Sequence, residues 1–213
     1  MNIVKNMLIS ASLLGIFAIV GTAMVAYTDG TTAEQVAYNK RQYTLNKLHE
    51  IISPSALDND LERDTIQVTD PRLGTTQPML VYRARKNGKP VAAIIHSIAP
   101  DGYSGNIEML VGIRADGTLL GVRVVEHQET PGLGDAIDIR KSNWIRQFEN
   151  RSLKQPEPKN WKVKRDGGAF DQITSATITS RAVVKAVYNT LQYFKEHRQE
   201  LFKNETVQNR GTP

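Results

Sequence analysis

The chain of 213 residues contains no cysteine. That absence excludes disulfides, thiolate zinc sites, iron–sulfur clusters on thiolate ligands and a cysteine-linked cofactor. Histidine is scarce: His49, His96, His127 and His197 fall in separate stretches without ligand spacing, so no metal site of three or four ligands is legible. The net charge of +5 is spread along the chain with acids interleaved, and no basic stripe of the kind that grips nucleic acid occurs. Its densest cluster, Lys162, Lys164 and Arg165, reads as a solvated strand face unless an anion lies nearby. Hydrolytic and nucleotide motifs are missing as well. There is no HExxH and no P-loop, and Gly102-Tyr103-Ser104-Gly105 falls short of the G-x-S-x-G elbow. Pro131 to Ile137 (PGLGDAI) opens like a dinucleotide fingerprint, yet Ile137 stands where the third glycine belongs. The strands before it read as hairpins, not as the parallel unit that fingerprint needs.

Charge is also missing from residues 6–28, NMLISASLLGIFAIVGTAMVAYT, in a chain otherwise polar. As a helix this run reaches roughly 34 Å at about 1.5 Å per residue, enough for a hydrocarbon core of about 30 Å. The competing reading is a signal peptide cut after Gly21-Thr22-Ala23, but such apolar regions run about 7 to 15 residues and this one is longer. An uncleaved single transmembrane helix is therefore expected. Lys5 precedes it and Lys40, Arg41 and Lys47 follow, so the positive-inside count leaves the orientation open.

Beyond the span, Ala33 to Leu57 reads as an amphipathic helix carrying Val36, Tyr43, Leu48, Ile51 and Ile52, with Pro54 near its end. It is either a stalk or part of the fold. From Thr65 the period turns to strands. TIQVTD is followed by MLVYRARK and VAAIIHSIA around Asn87-Gly88, a strong hairpin signal because both residues tolerate positive φ. IEMLVGIR and TLLGVRVVEH around Ala115-Asp116-Gly117 make a second hairpin. A helix is expected near Ile137–Phe148, then a short strand WKVKR, then a long helix from about Thr179 to Phe202 with Val183, Val184, Val187, Leu191 and Phe194 inward. The expected class is α+β: a tail at 1–5, the span at 6–28, a helical stalk or packing helix at 29–60, a mostly antiparallel meander packed with helices over 61–203, and a flexible tail from 204.

Hydroxyls crowd the entry to the last helix: Thr174, Ser175, Thr177, Thr179 and Ser180. Helix starts favour Ser and Thr because their oxygens accept from unpaired N–H groups, which explains one or two of them. An anion there would meet the same N–H groups and the positive end of the helix dipole. Composition favours capping. In the PGLGD turn, glycine lets backbone approach a ligand closely.

Together these motifs carry a resemblance. DQITSAT, Asp171 to Thr177, resembles the flavinylation motif Asp-x-x-(Ser/Thr)-Gly-Ala-Thr, whose last threonine is esterified to the phosphate of FMN. HQETPGLGD (127–135) resembles the accompanying loop of a flavoprotein family, RnfG of the Rnf electron-transport complex and its counterpart in the sodium-pumping NADH:quinone oxidoreductase, and PDGYSG (100–105) and DGGAFDQ (166–172) look like RnfG as well. The resemblance covers nearly the whole chain and implies that 61–203 is an FMN-binding domain. It implies Thr177 as the attachment residue, Asp171 as the leading acid, and Thr174, Ser175, Ala176 and Thr179 as phosphate or capping positions. Ser175 departs from the usual glycine, which is tolerable only outside glycine-only backbone regions. Glu129, Thr130, Gly132, Leu133, Gly134 and Tyr103 match the loops expected near the flavin ring, and Lys164 is the expected electrostatic partner of the phosphate.

The implied function is electron transfer within a complex that couples ferredoxin and NAD to ion translocation. The chain would have no independent catalysis, and it would require other subunits, a bilayer and a flavin transferase using FAD and Mg²⁺. The flavin domain would face the periplasm from a bacterial inner membrane. The alternative is an anchored sensing or scaffolding module with an empty or noncovalent flavin site.

Overall fold

A computed structural model describes residues 3–203, which divide into two compact units with the boundary between Leu45 and Asn46. The first unit is helical throughout its described part, as the beginning of α1 (Ile3–Ile51). Its apolar side chains, among them Leu8, Phe17 and Val25, are exposed, and the helix is long and apolar enough to cross a membrane. The sequence pattern separates a span from a second helix near residue 29; α1 instead runs through Asp29, Gly30 and the threonines without interruption. The hydroxyls of Thr28 and Thr32 donate back to the carbonyls of Met24 and Thr28, both at 2.8 Å, so they do not compete for the helical N–H groups. Gly30 costs the helix only about 1 kcal/mol relative to alanine.

The helix stops earlier than Leu57 because of Pro54. Its ring pushes Ser53 into extended backbone (ψ 138°), and Pro54–Ala56 forms a separate 3₁₀ turn. Within the second unit, the segment from Lys47 to Ile52 then buries Lys47, Leu48, Ile51 and Ile52.

The five expected strands form one sheet in chain order: β1 (Thr65–Val68), β2 (Met79–Lys86), β3 (Lys89–Ala99), β4 (Ile107–Arg114) and β5 (Leu119–Glu126). All four pairings are antiparallel. Asn87 and Gly88 both take positive φ, 52° and 71°, which lets the two-residue turn follow the twist of β2 and β3. Because strand side chains alternate, Val81, Ile95, Val111 and Val122 share one face, set by the registers Val81↔Ile95, Ile95↔Val111 and Val111↔Val122. Against that face packs α2 (Thr177–Leu201) through the expected Val183, Val184, Val187, Leu191 and Phe194, each 1% exposed or less. Each such burial contributes about 1.5–3 kcal/mol. On the other face, Ile94, Gly112 and Gly121 lie in one row of the sheet. A Cβ on Gly112 would come within 2.3 Å of Ile51 Cγ2, so the missing side chain is what lets the end of α1 lie against β4.

Two expectations fail between β5 and α2. In place of a helix over Ile137–Phe148 stand two 3₁₀ turns, Gly134–Ile137 and Trp144–Phe148. Side chains capture the backbone between them: Ser142 Oγ donates to Ala136 O at 2.6 Å and accepts from Trp144 N–H, while Asp138 accepts from Arg140 N–H at 2.9 Å. Ile137, Ile145 and Phe148 are still buried, as the apolar pattern required. WKVKR is likewise not a strand. Val163 makes one isolated bridge to Phe170, and Lys164–Asp166 is a 3₁₀ turn ended by Gly167 at φ 78°. Aromatic contacts hold these irregular segments: Phe148 stacks on Phe170 at 5.0 Å, Phe170 meets Trp161 at 4.7 Å, and Trp161 meets Tyr188 of α2 at 5.5 Å. The tail expected to be flexible from 204 lies outside the described residues.

Asp138 anchors the first of those segments and is 3% exposed. Burial pushes its carboxyl up, but hydrogen bonds from the side chain and backbone of Arg140 and the charge of Lys47 outweigh that and hold it below the ordinary 3.8. A carboxyl depressed on folding contributes stability that is fully present above its ordinary range and is lost as pH falls through it. Melting temperatures of wild type and Asp138→Asn should therefore differ most near pH 6 and draw together as pH falls below 3.8. A gap that stays constant with pH would refute this assignment.

Candidate functional site

The first turn of α2 opens onto a cavity of about 440 Å³. Thr174, Ser175, Ala176, Thr177 and Thr179 line it on one side, Glu129, Thr130, Leu133 and Gly134 on another, and Tyr103 and Arg165 complete it with Ile178. All but three of the site residues expected from the sequence thus meet in one place, although they come from three separate stretches of chain.

The expected capping is absent. Ala176 occupies the N-cap position, and no side chain caps the helix there. The hydroxyls are sorted instead by burial. Ser180 is fully buried, accepting from Ile173 N–H at 3.0 Å and donating to Ala176 O at 2.9 Å. Thr179 is also fully buried and donates to Glu129 Oε2 at 2.6 Å. Thr174 and Ser175 are exposed. Thr177 is half-buried on the cavity wall, and its hydroxyl has no protein partner among the described residues. Ser175 is absent from the non-glycine residues with positive φ, Asn87 and Asn150, so the serine at this position meets no left-handed strain.

Glu129, 4% exposed, joins the walls. Besides Thr179, it accepts from Ser104 N–H at 3.1 Å. A Cβ on Gly134 would stand 2.7 Å from its Oε2 and 2.9 Å from its Cβ, so glycine is what admits this carboxylate behind the turn. The turn itself is tight: Leu133 N–H and Gly134 N–H both donate to Thr130 O, at 3.1 and 3.0 Å. It presents Leu133 outward, 45% exposed. Outside α1, the large apolar side chains most exposed among the described residues are Tyr103, Leu133 and Ile178, and all three line this cavity.

Three expected residues stand back from it. Gly132 shapes the turn at φ 79°, its N–H on Asp135 Oδ1 at 2.8 Å. Lys164 pairs with Asp171 at 2.6 Å, both exposed. The backbone of Asp171 is clamped by Trp144 Nε1–H donating to its carbonyl at 2.7 Å and by Gln147 Oε1 accepting its N–H at 2.7 Å. The cation that does line the cavity is Arg165. The sequence pattern pointed to its neighbour instead, since a strand and a turn aim adjacent residues differently. Ile178 was also missed; its signal was an apolar residue set among hydroxyls at a helix entry.

Comparison with known proteins bears on the same region. Residues 102–192 match the model of the FMN-binding domain, and residues 1–51 match that of the RnfG N-terminal region. The chain is 47% identical over 189 residues to the G-subunit of the ion-translocating oxidoreductase complex of Vibrio cholerae, covering 89% of this chain and 90% of that protein. The proteins of the same name from Pseudoalteromonas atlantica and Shewanella baltica are each 46% identical, covering 94% and 93% of this chain and 92% and 94% of their own lengths.

Proposed function

Because this chain belongs to the RnfG family, the G-subunits of ion-translocating oxidoreductase complexes, we propose that it is the flavoprotein of such a complex, with FMN esterified through its phosphate to Thr177. One observation carries the choice of residue. Thr177 is half-buried on the cavity wall with no protein partner for its hydroxyl among the described residues, whereas Thr179 and Ser180 are buried and engaged and Thr174 and Ser175, also on the wall, are exposed and lie before the helix. A nucleophilic oxygen must be reachable, and this one is.

The donor set fits an FMN. A phosphate on Thr177 would sit at a helix N-terminus that no side chain caps, where N–H groups and the helix dipole favour negative charge. Arg165 would add a charged partner. Tyr103, Leu133 and Ile178 would cover an apolar ring system and exclude water from it. When bound, the flavin supplies the capacity to accept and pass electrons; the chain tunes it through burial, charge and hydrogen bonds. In attachment, Thr177 Oγ1 would give up its proton and take the bond to phosphorus, with AMP as the leaving group from FAD presented by a flavin transferase with Mg²⁺.

The alternative of a scaffolding module with an empty or noncovalent site drew its support from Ser175, whose backbone carries no such penalty. Residues 6–28 of α1 would anchor the domain in a bacterial inner membrane, with residues 61–203 as the flavin domain on the periplasmic side and the remaining subunits as redox partners. The test is the intact mass of the chain purified from its native membrane. It should exceed the sequence mass by FMN less one water, and an unmodified mass overturns the proposal.

A further inference from the structure

A second recess, of about 850 Å³, lies between the β4–β5 turn, the connection around residues 152–158, and α2 from Tyr188 onward. Tyr188 is about 16 Å along the helix from Thr177, at about 1.5 Å per residue, so this recess is separate from the hydroxyl-lined cavity. Its floor is apolar. The apolar surface it presents is that of Leu153 and Tyr188, both half-buried and the latter held by its ring contact with Trp161, while Leu191 and Phe194 lie beneath at 1% exposure.

The rim is cationic. Lys154, Lys195 and Arg198 are exposed, and among the described residues none has a carboxylate within ion-pair distance. Of the acids beside them, Glu196 pairs with Arg72 at 2.6 Å, and Asp116 accepts from Thr118 N–H of its own turn at 2.8 Å while the charges of Arg114 and, beyond ion-pair distance, Arg198 also act on it. No charged or polar side chain lining the recess is buried, so nothing enclosed would orient a small molecule. An apolar floor inside a charged, solvated rim is instead the anatomy of a protein interface.

We propose that this recess docks an acidic segment of another subunit of the complex, its carboxylates on Lys154, Lys195 and Arg198 and an apolar side chain on the half-buried Leu153 and Tyr188. The inference uses membership in a complex and is independent of the Thr177 ester, so it stands or falls whether or not flavin is attached. Complex solubilised from its own membrane and the isolated chain are each labelled with an amine-reactive acetyl ester, and Lys154 and Lys195 are read by peptide mass spectrometry. Burial in an interface should lower their labelling in the complex by about fivefold or more. A zero-length carbodiimide should join one of them to an Asp or Glu of another subunit. Charge reversal in K154E/K195E/R198E should strip the chain from the complex during purification, with helix content unchanged by circular dichroism. Equal labelling in both preparations, protection already present in the isolated chain, or full retention of the triple variant would each overturn the proposal.

Discussion

Thr177→Ala should yield a folded chain with no covalent flavin, and Thr179→Ala a flavin-bearing chain of reduced stability. The two residues sit two positions apart in one helical turn and differ in what their hydroxyls do. Thr177 has no protein partner to lose among the described residues, and alanine suits the first turn of a helix, so its removal should change stability within about 0.5 kcal/mol. Thr179 donates to a buried carboxylate, a bond worth about 1.5–3 kcal/mol. Expression beside a flavin transferase, then in-gel fluorescence after denaturation, reads attachment; thermal melts read stability. Thr177→Ser keeps the oxygen and should keep some fluorescence. Fluorescence retained in Thr177→Ala and lost in Thr179→Ala would move the ester to Thr179, and a bright band from both single variants would remove it from this turn.

What was legible in the sequence were features set by near neighbours. Asn87-Gly88 and Gly117 fixed two hairpins because positive φ at those three positions is a local property. The apolar stripe of α2 fixed its inward face, and the paired loop motifs located the cavity. Features decided by competition for backbone groups were not legible. Hydroxyls before α2 suggested a capped helix, but Ser180 turns inward to serve Ile173 and Ala176, leaving Ala176 at the N-cap. The stretch 137–148 has a helical apolar period, and Asp138 and Ser142 commit the backbone to 3₁₀ turns instead. Lys164 and Arg165 are adjacent cations, and the turn that replaces the expected strand gives Asp171 the first and the cavity the second. The role of Glu129 needed the fold most of all, since it joins segments 50 residues apart.

Glu129→Ala is expected to be the most damaging substitution at the site short of the attachment residue. The buried Thr179 Oγ1–H and the N–H of the exposed Ser104 would lose their acceptor. The side chain that fills the space beside Gly102 and Gly134 would also be missing, since Cβ atoms built there come within 2.9 and 2.7 Å of its oxygens. Lost charge-assisted bonds and the cavity together should cost about 2–4 kcal/mol, lowering Tm by several degrees. Attachment should fall too, because the turn carrying Leu133 and the helix carrying Thr177 would no longer be tied to one carboxylate. Glu129→Gln separates geometry from charge. Its carbonyl can still accept from Ser104 N–H and its amide can donate to Thr179 Oγ1, so it should retain most of the stability and flavin that alanine loses. Glutamine as harmful as alanine would mean that the negative charge itself is needed. Alanine as harmless as glutamine would mean that the three segments hold together without this strut.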